Sequence, residues 1–310
     1  AAAKARDVLG CLPDRMLVEV SGNIIKNVKS VIIPHTGGLR GIAAAAAVGA
    51  VAGDAAAELA VISQVTPKKV AETAQYLQKT PIDVRCAENG HVFDIAITAW
   101  QGENNAYVRI ADYHTNIVSI HRNGETLLEK NAETQEDGLT DRRCLSVEGI
   151  VEFADHVELD AVKPTLERQI ECNMAIAAEG LRGNYGANIG KTLLKNHEDN
   201  IDYKMRAWAA AGSDARMNGC ELPVVINSGS GNQGITASVP VIVYARENGN
   251  SHEELLRALC VSNLVTIHLK TGIGRLSAYC GAVSAGVGAG AGIAYLKGGR
   301  FEQIAHTVVN

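Results

Sequence analysis

Two runs of β-branched and apolar residues, 17–20 and 28–33, flank Ser21-Gly22-Asn23 and predict a β-ribbon over residues 16–33. After Pro34-His35-Thr36-Gly37-Gly38 the chain turns to alanine, and residues 41–60 read as a helix with high propensity and almost no side-chain bulk. Thr66 and Pro67 then supply a cap and a first-turn proline for a surface helix over residues 68–78, with Val70, Ala74 and Leu77 on one face. Three or four short strands follow, at residues 82–86, 92–99, 106–111 and 117–121. Phe93, Ile95 and Ile97 share one face by period-two alternation, as do Val108 and Ile110. The pattern predicts an antiparallel sheet backed by a helix.

Residues 131–143 (NAETQEDGLTDRR) are polar and read as a linker. Beyond them the periodicity is helical: Leu166, Ile170, Met174 and Ala177 recur on one helix face, and further helices are expected near 199–211 and 252–269. The expected fold class is α+β, a mainly helical catalytic domain with an inserted small α/β domain of antiparallel sheet plus helix. Residues 1–60 and 144–310 would form the helical domain and 61–143 the insert with its linker. The opening residues read as helix interior stopped by Gly10, and 304–310 end in an apolar pattern without a stop signal, so both termini are read as cut.

Composition narrows the function classes. With 46% hydrophobic and 20% charged residues the chain is an ordinary globular protein. Its net charge of -5 is weak and of the wrong sign for counterion release from nucleic acid, which is excluded as a partner. The 31 glycines are about one residue in ten against a usual ~7%, so small residues must form much of the packing. The seven cysteines, Cys11, Cys86, Cys144, Cys172, Cys220, Cys260 and Cys280, are scattered and odd in number. That argues against a disulfide framework or a zinc module and for a reducing, cytoplasmic setting. The Ala/Gly/Ser run 280–296 is shorter than the ~20 residues a membrane span needs and reads as a buried helix, so no membrane partner is expected.

Residues 227–234, Asn227-Ser228-Gly229-Ser230-Gly231-Asn232-Gln233-Gly234, carry the densest chemistry. Glycines expose successive N–H groups, hydroxyls and amides add donors, and a helix start is expected at Thr236: an anion nest suited to a carboxylate or phosphate, with a plain polar connection as the bland reading. Residues 34–38 are a second glycine turn with the same amide logic, weak alone. Residues 186–192 (GANIGKT) resemble a phosphate loop but have three residues between the glycines where four are required, and follow a helical pattern; a helix N-terminus is the simpler reading. His268 and Lys270 lie beside residues 271–275 (TGIGR), a basic cluster near Cys280. Each is a candidate base, though such a His is more often structural and Cys280 by composition is a small buried residue.

Taken together, residues 21–41, 217–245 and 270–286 closely resemble the L-cysteine desulfidases, which are related to the alpha chain of iron–sulfur L-serine dehydratase. The resemblance covers essentially the whole chain. It implies a lyase with a [4Fe–4S] cluster that removes the β-substituent of a small amino acid, converting L-cysteine to pyruvate, ammonia and hydrogen sulfide. It implies Cys280 as one cluster ligand, two more from a cysteine pair further along than residue 310, and a functional cysteine ahead of residue 1. The cluster is therefore expected to be absent or incomplete in this chain. The substrate clamp would combine His35, Thr36, Gly37 and Gly38 with Ser228, Gly229, Ser230, Gly231, Asn232, Gln233 and Gly234. His268 and Lys270 remain as bases.

Three other readings are carried beside it. The first is serine deamination by the same chemistry. The second is a pyridoxal-phosphate β-eliminating enzyme, since SGSGNQG also resembles the Ser-Gly-Asn loop that wraps that cofactor; Lys204 is the nearest Schiff-base candidate. The third is a non-catalytic amino-acid-binding protein. The partner expected is a small amino acid, and a homodimer is left open.

Overall fold

The computed structural model describes residues 1–29, 31–130, 141–273 and 280–310. The chain divides into two units, Ala1–Leu139 and Thr140–Asn310.

The first unit opens with α1 (Ala2–Leu9), which Gly10 stops in the left-handed conformation at φ 88°, as its sequence predicts. β1 (Arg15–Val20) follows, then α2 (Gly22–Val28), α3 (Gly41–Ala52), a 3-10 segment (Ala55–Ala60) and α4 (Pro67–Lys79). β2 (Ile82–Cys86), β3 (Asp94–Gln101), β4 (Asn104–Ala111), β5 (Ile117–Arg122) and β6 (Glu125–Glu129) complete one sheet in the order β2-β1-β3-β4-β5-β6. Its neighbours are antiparallel except β1 and β2, which run parallel because α3 and α4 lie between them in the chain. The sheet is thus mixed, where an antiparallel one was expected. Val18, Ile97, Val108 and Ile120 pair in one row across four strands. They form the core together with Ala5 and Leu9 of α1, Ala46, Ala47 and Ala50 of α3 and Tyr76 of α4.

The expected ribbon at 16–33 is half right. β1 is a strand, but residues 22–28 coil into α2, and residues 31–41 form a loop closed by a bridge between Ile32 and Arg40. The expected helix at 41–60 breaks at Gly53, whose extended backbone lies too close to Gly49 and Ala3 for any larger residue; Asp54 then caps the 3-10 segment at Ala56. The domain division also differs from expectation. Residues 1–60 share the core of the sheet and do not join the helical half, because β1 is an inner strand of that sheet and α1 and α3 cover it.

The second unit is helical in all its named elements: α5 (Val147–His156), α6 (Leu159–Arg182), α7 (Ile189–Leu194), α8 (Ile201–Met217), α9 (Gly231–Glu247), α10 (His252–Ile273), α11 (Gly281–Leu296) and α12 (Phe301–Val309). Its core centres on Ile176, Ile235, Ile242, Leu256, Leu259 and Val265, and includes the predicted face Leu166, Ile170, Met174 and Ala177 of α6. The expectation that small residues set the packing holds here. A Cβ on Gly180 would fall 2.0 Å from the Ala211 carbonyl oxygen, and one on Gly288 would fall 2.1 Å from Thr266 Oγ1, so α6 meets α8 and α10 meets α11 backbone to backbone. Helical bulk with one small sheet makes the fold class α+β. Among the described residues no helix is long and apolar enough to cross a membrane.

Candidate functional site

The glycine-rich segment 227–234 is a tight turn joined directly to a helix. Asn227 and Ser230 exchange backbone hydrogen bonds of 3.1 and 3.0 Å around Ser228 (φ 46°) and Gly229 (φ 81°). Two consecutive positive φ values make this a turn of the primed kind, which explains the glycine and places Ser228 in a conformation that costs it energy. α9 starts at Gly231, five residues before the position expected from sequence. Its N-cap, Ser230, makes no side-chain capping bond, so the first-turn amides that any helix leaves unpaired carry no cap from that residue.

A buried amide network holds this turn. Asn227 Nδ2 donates to the carbonyl (3.2 Å) and to Oδ1 (2.9 Å) of Asn263 on α10, and Asn263 exchanges side-chain bonds of 2.8 and 2.9 Å with Gln169 on α6. Asn173, one turn further along α6 and wholly buried, accepts from the Val225 amide (2.9 Å) and donates to the Val225 carbonyl (3.2 Å) and Ser238 Oγ (2.9 Å). Every amide here is satisfied by another element, which is how a polar loop is fixed at the edge of an apolar core. Gly234 lets the approach close: a Cβ there would fall 2.0 Å from the Val225 oxygen. Sequence reading missed Gln169, Asn173 and Asn263, although two amides four residues apart within the apolar stripe of α6 were a usable signal.

Three further groups converge on the start of α9. The first is Arg216, near the end of α8, which lies against Gly231: a Cβ there would meet Nε at 2.2 Å. Arg216 Nη1 donates to Asn232 Oδ1 at 3.2 Å and touches Met217 Sδ at 3.5 Å. Burial pulls its pKa below the usual guanidinium range. The second is Gln233, 4% exposed, whose Oε1 has no hydrogen-bond partner among the described residues. The third is the start of α11, where a Cβ on Gly281 would fall 2.3 Å from Gln233 Cδ. Cys280, the N-cap of α11 and the residue before Gly281, is exposed, against the buried setting its composition suggested.

The two candidate bases are not a pair. His268 and Lys270 lie two residues apart on α10, about 200° around the helix axis. Lys270 is seven residues beyond Asn263, about two turns, and shares the stripe that carries Asn263 to the nest; it is buried, whereas His268 is half-buried on another face. Gly274, Arg275 and the Ser277 to Tyr279 part of the cysteine motif lie outside the described residues, as do residues 131–140 of the expected linker.

The loop His35 to Gly38 belongs to the other unit. His35 (φ 58°), Gly37 (φ 67°) and Gly38 (φ 102°) turn the chain, and buried Thr36 donates to the Ile33 carbonyl at 2.6 Å. α3 begins at Gly41, three residues after this turn and at the start expected from sequence. The GANIGKT segment leads into the short α7 and follows a helix, α6. Asp214 accepts from the Ile189 amide at 2.9 Å, filling the place an anion would need. A Cβ on Gly190 would fall 2.5 Å from the Ala207 oxygen, so that glycine serves helix packing.

Among the described residues no three His, Cys, Asp or Glu side chains gather as a metal site requires. Cys280 suits one ligand position by its exposure.

The helical unit thus brings the glycine turn before α9, with Arg216 against Gly231, and the start of α11, with Gly281 against Gln233, onto the first turn of one helix. The chain belongs to the serine dehydratase alpha chain family, whose model matches residues 56–310. It is similar to a UPF0597 protein of Desulfitobacterium hafniense, 55% identical over all of this chain and 72% of that protein. It is likewise similar to UPF0597 proteins of Lachnoclostridium phytofermentans, 49% identical over all of this chain and 74% of that protein, and of Oleidesulfovibrio alaskensis, 40% over all of this chain and 73% of that protein. No solved structure matches the chain.

Proposed function

We propose that this protein is a lyase that eliminates the β-substituent of a small L-amino acid, with L-cysteine giving pyruvate, ammonia and hydrogen sulfide, in a cytoplasmic setting. The observation that carries the reading is the packing of Gly281, the residue after Cys280, on Gln233 of the glycine-rich segment at the starts of α11 and α9. Membership of a family named for an amino-acid dehydratase supports the reaction class.

In this reading Ser228 to Gly234 hold the substrate carboxylate through backbone amides and hydroxyls. The resemblance adds His35, Thr36, Gly37 and Gly38 to the substrate-binding set. A base takes the α-proton; the electrons of that C–H bond form the Cα–Cβ double bond as the Cβ–S bond breaks and the sulfur leaves as hydrosulfide. The aminoacrylate left behind tautomerises to the imine and adds water, releasing pyruvate and ammonia. Lys270 is favoured as the base over His268 because it shares the Asn263 stripe of α10. The resemblance implies a [4Fe–4S] cluster with Cys280 as one ligand; when bound, it would supply Lewis acidity for the leaving atom.

The test is anaerobic reconstitution of the intact protein with iron and sulfide, followed by pyruvate and sulfide assays on L-cysteine and L-serine. Pyruvate with sulfide from L-cysteine is the expected result, with iron lost in Cys280→Ser. Keto acid from serine alone replaces desulfidation by serine deamination. Keto acid without iron but with a borohydride-reducible chromophore points to pyridoxal phosphate, and binding without turnover points to an amino-acid-binding protein; either overturns the proposal.

A further inference from the structure

We propose that Arg216 reads the α-carboxylate of an amino acid held at the glycine nest. This deepens the function proposed above and rests on it for the identity of the ligand. The guanidinium lies against the backbone of Gly231, the first residue of α9, close enough that a methyl group there could not fit. Its protein contacts are Asn232 Oδ1 and Met217 Sδ, both through Nη1. Nε and Nη2, the edge of the fork that pairs two oxygens of a carboxylate at once, have no protein partner among the described residues. No Asp or Glu among the described residues forms an ion pair with it. An arginine taken partly out of water without a counter-ion is costly unless an anion arrives to pair it.

Two observations point to where that anion would sit. Ser230 leaves the start of α9 without a side-chain cap, so the helix offers its own amides beside the guanidinium. Gln233, nine-tenths buried, carries an amide oxygen with no partner among the described residues, two positions along the same turn. Donors in surplus for an anion and an acceptor in want of a donor are the complement of a zwitterion lying across the helix start: the carboxylate sits over the α9 amides with Arg216 on the α8 side, and the ammonium turns to Gln233 on the α11 side. A simple inorganic anion would use the first set and leave Gln233 unsatisfied.

The proposal is tested by titration calorimetry of the intact protein with L-alanine, which has no β-leaving group and so binds without turnover. L-alanine methyl ester and inorganic phosphate are the comparison ligands. The wild type is expected to bind L-alanine at least tenfold more tightly than the ester, about 1.4 kcal/mol. Arg216→Gln should remove that preference by weakening L-alanine alone, and Arg216→Lys should fall between. Equal preference for the free acid in Arg216→Gln, or tighter binding of phosphate than of L-alanine, overturns it. Should Arg216→Gln fail to fold by circular dichroism, phenylglyoxal labelling of the wild type decides: L-alanine must protect the Arg216 peptide, and absence of protection overturns the proposal. The lyase reading fails separately. Arg216-dependent binding with no keto acid from reconstituted enzyme leaves this inference standing, whereas keto acid production with an unmoved KM in Arg216→Gln removes it and leaves the lyase.

Discussion

Cys260 and Cys280 carry the same side chain and have opposite fates. Cys260 is packed in the core of the second unit, and burial pushes its thiol up to about 11; Cys280 is exposed at the head of α11. At pH 8 only about one Cys260 in a thousand is thiolate, so native protein treated with iodoacetamide should be labelled at Cys280 and not at Cys260. Burial also pushes Tyr76 and Tyr295 up to about 12. Each folded-state value lies above the ordinary one, so the fold prefers the protonated group. Stability from these groups is fully present below pH ~9 and is lost as pH rises from about 9 to 12. Urea midpoints should be level from pH 7 to 9 and then fall, with a shallower fall in Tyr295→Phe; a midpoint that rises with pH above 9 would refute the assignment. At this scale the segment 227–234 stood out in the sequence by its density of Ser, Gly, Asn and Gln, and the structure makes it a tight turn leading into α9. The sequence did not show Arg216, which is fifteen residues upstream of Gly231 and reaches the nest only because α8 packs on α9.

Among elements, α11 shows what a helix of alanine and glycine is for. Gly288 faces α10 with Thr266 Oγ1 at 2.1 Å and the Ser262 carbonyl oxygen at 2.5 Å from a would-be Cβ, while Gly286 has open space. Gly288→Ala should therefore destabilise by about 1–3 kcal/mol through overpacking. Gly286→Ala should stabilise by about 0.5–1 kcal/mol through helix propensity. Urea midpoints of the two variants test the pair, and a stabilising Gly288→Ala would mean that α10 and α11 are not in register as described. The buried small-residue helix was legible because so little bulk can be accommodated only by close approach. The segment 22–33 was not: Ile24, Ile25 and Val28 have strand propensity, but the Ser21 carbonyl accepts from the Ile24 and Ile25 amides at 2.9 and 3.1 Å, and local turn geometry overrides β-branching. β6 was missed because its burial pattern is almost wholly exposed, so its sequence ETLLE lacks the alternation of a half-buried strand.

For the whole molecule, the sequence located a sheet and a helical half but assigned residues 1–60 to the wrong core. Alanine-rich α1 and α3 have the same composition as the small-residue helices of the second unit, and composition does not say which partner a helix covers. That information sits in the pairing of β1 with β3, Val18 against Ile97, which no local pattern displays. The two cores share no residue, one centred on the sheet row of Val18, Ile97 and Val108, the other on Ile176, Ile235 and Leu259. Each unit is large enough to bury a core of its own. The expected consequence is thermal unfolding in two calorimetric transitions, not one. Val108→Ala, which hollows the sheet core at a fully buried site, should lower one transition by several degrees and leave the other in place, while Leu259→Ala should do the reverse. A single transition that both substitutions shift equally would show that the two cores melt as one cooperative body.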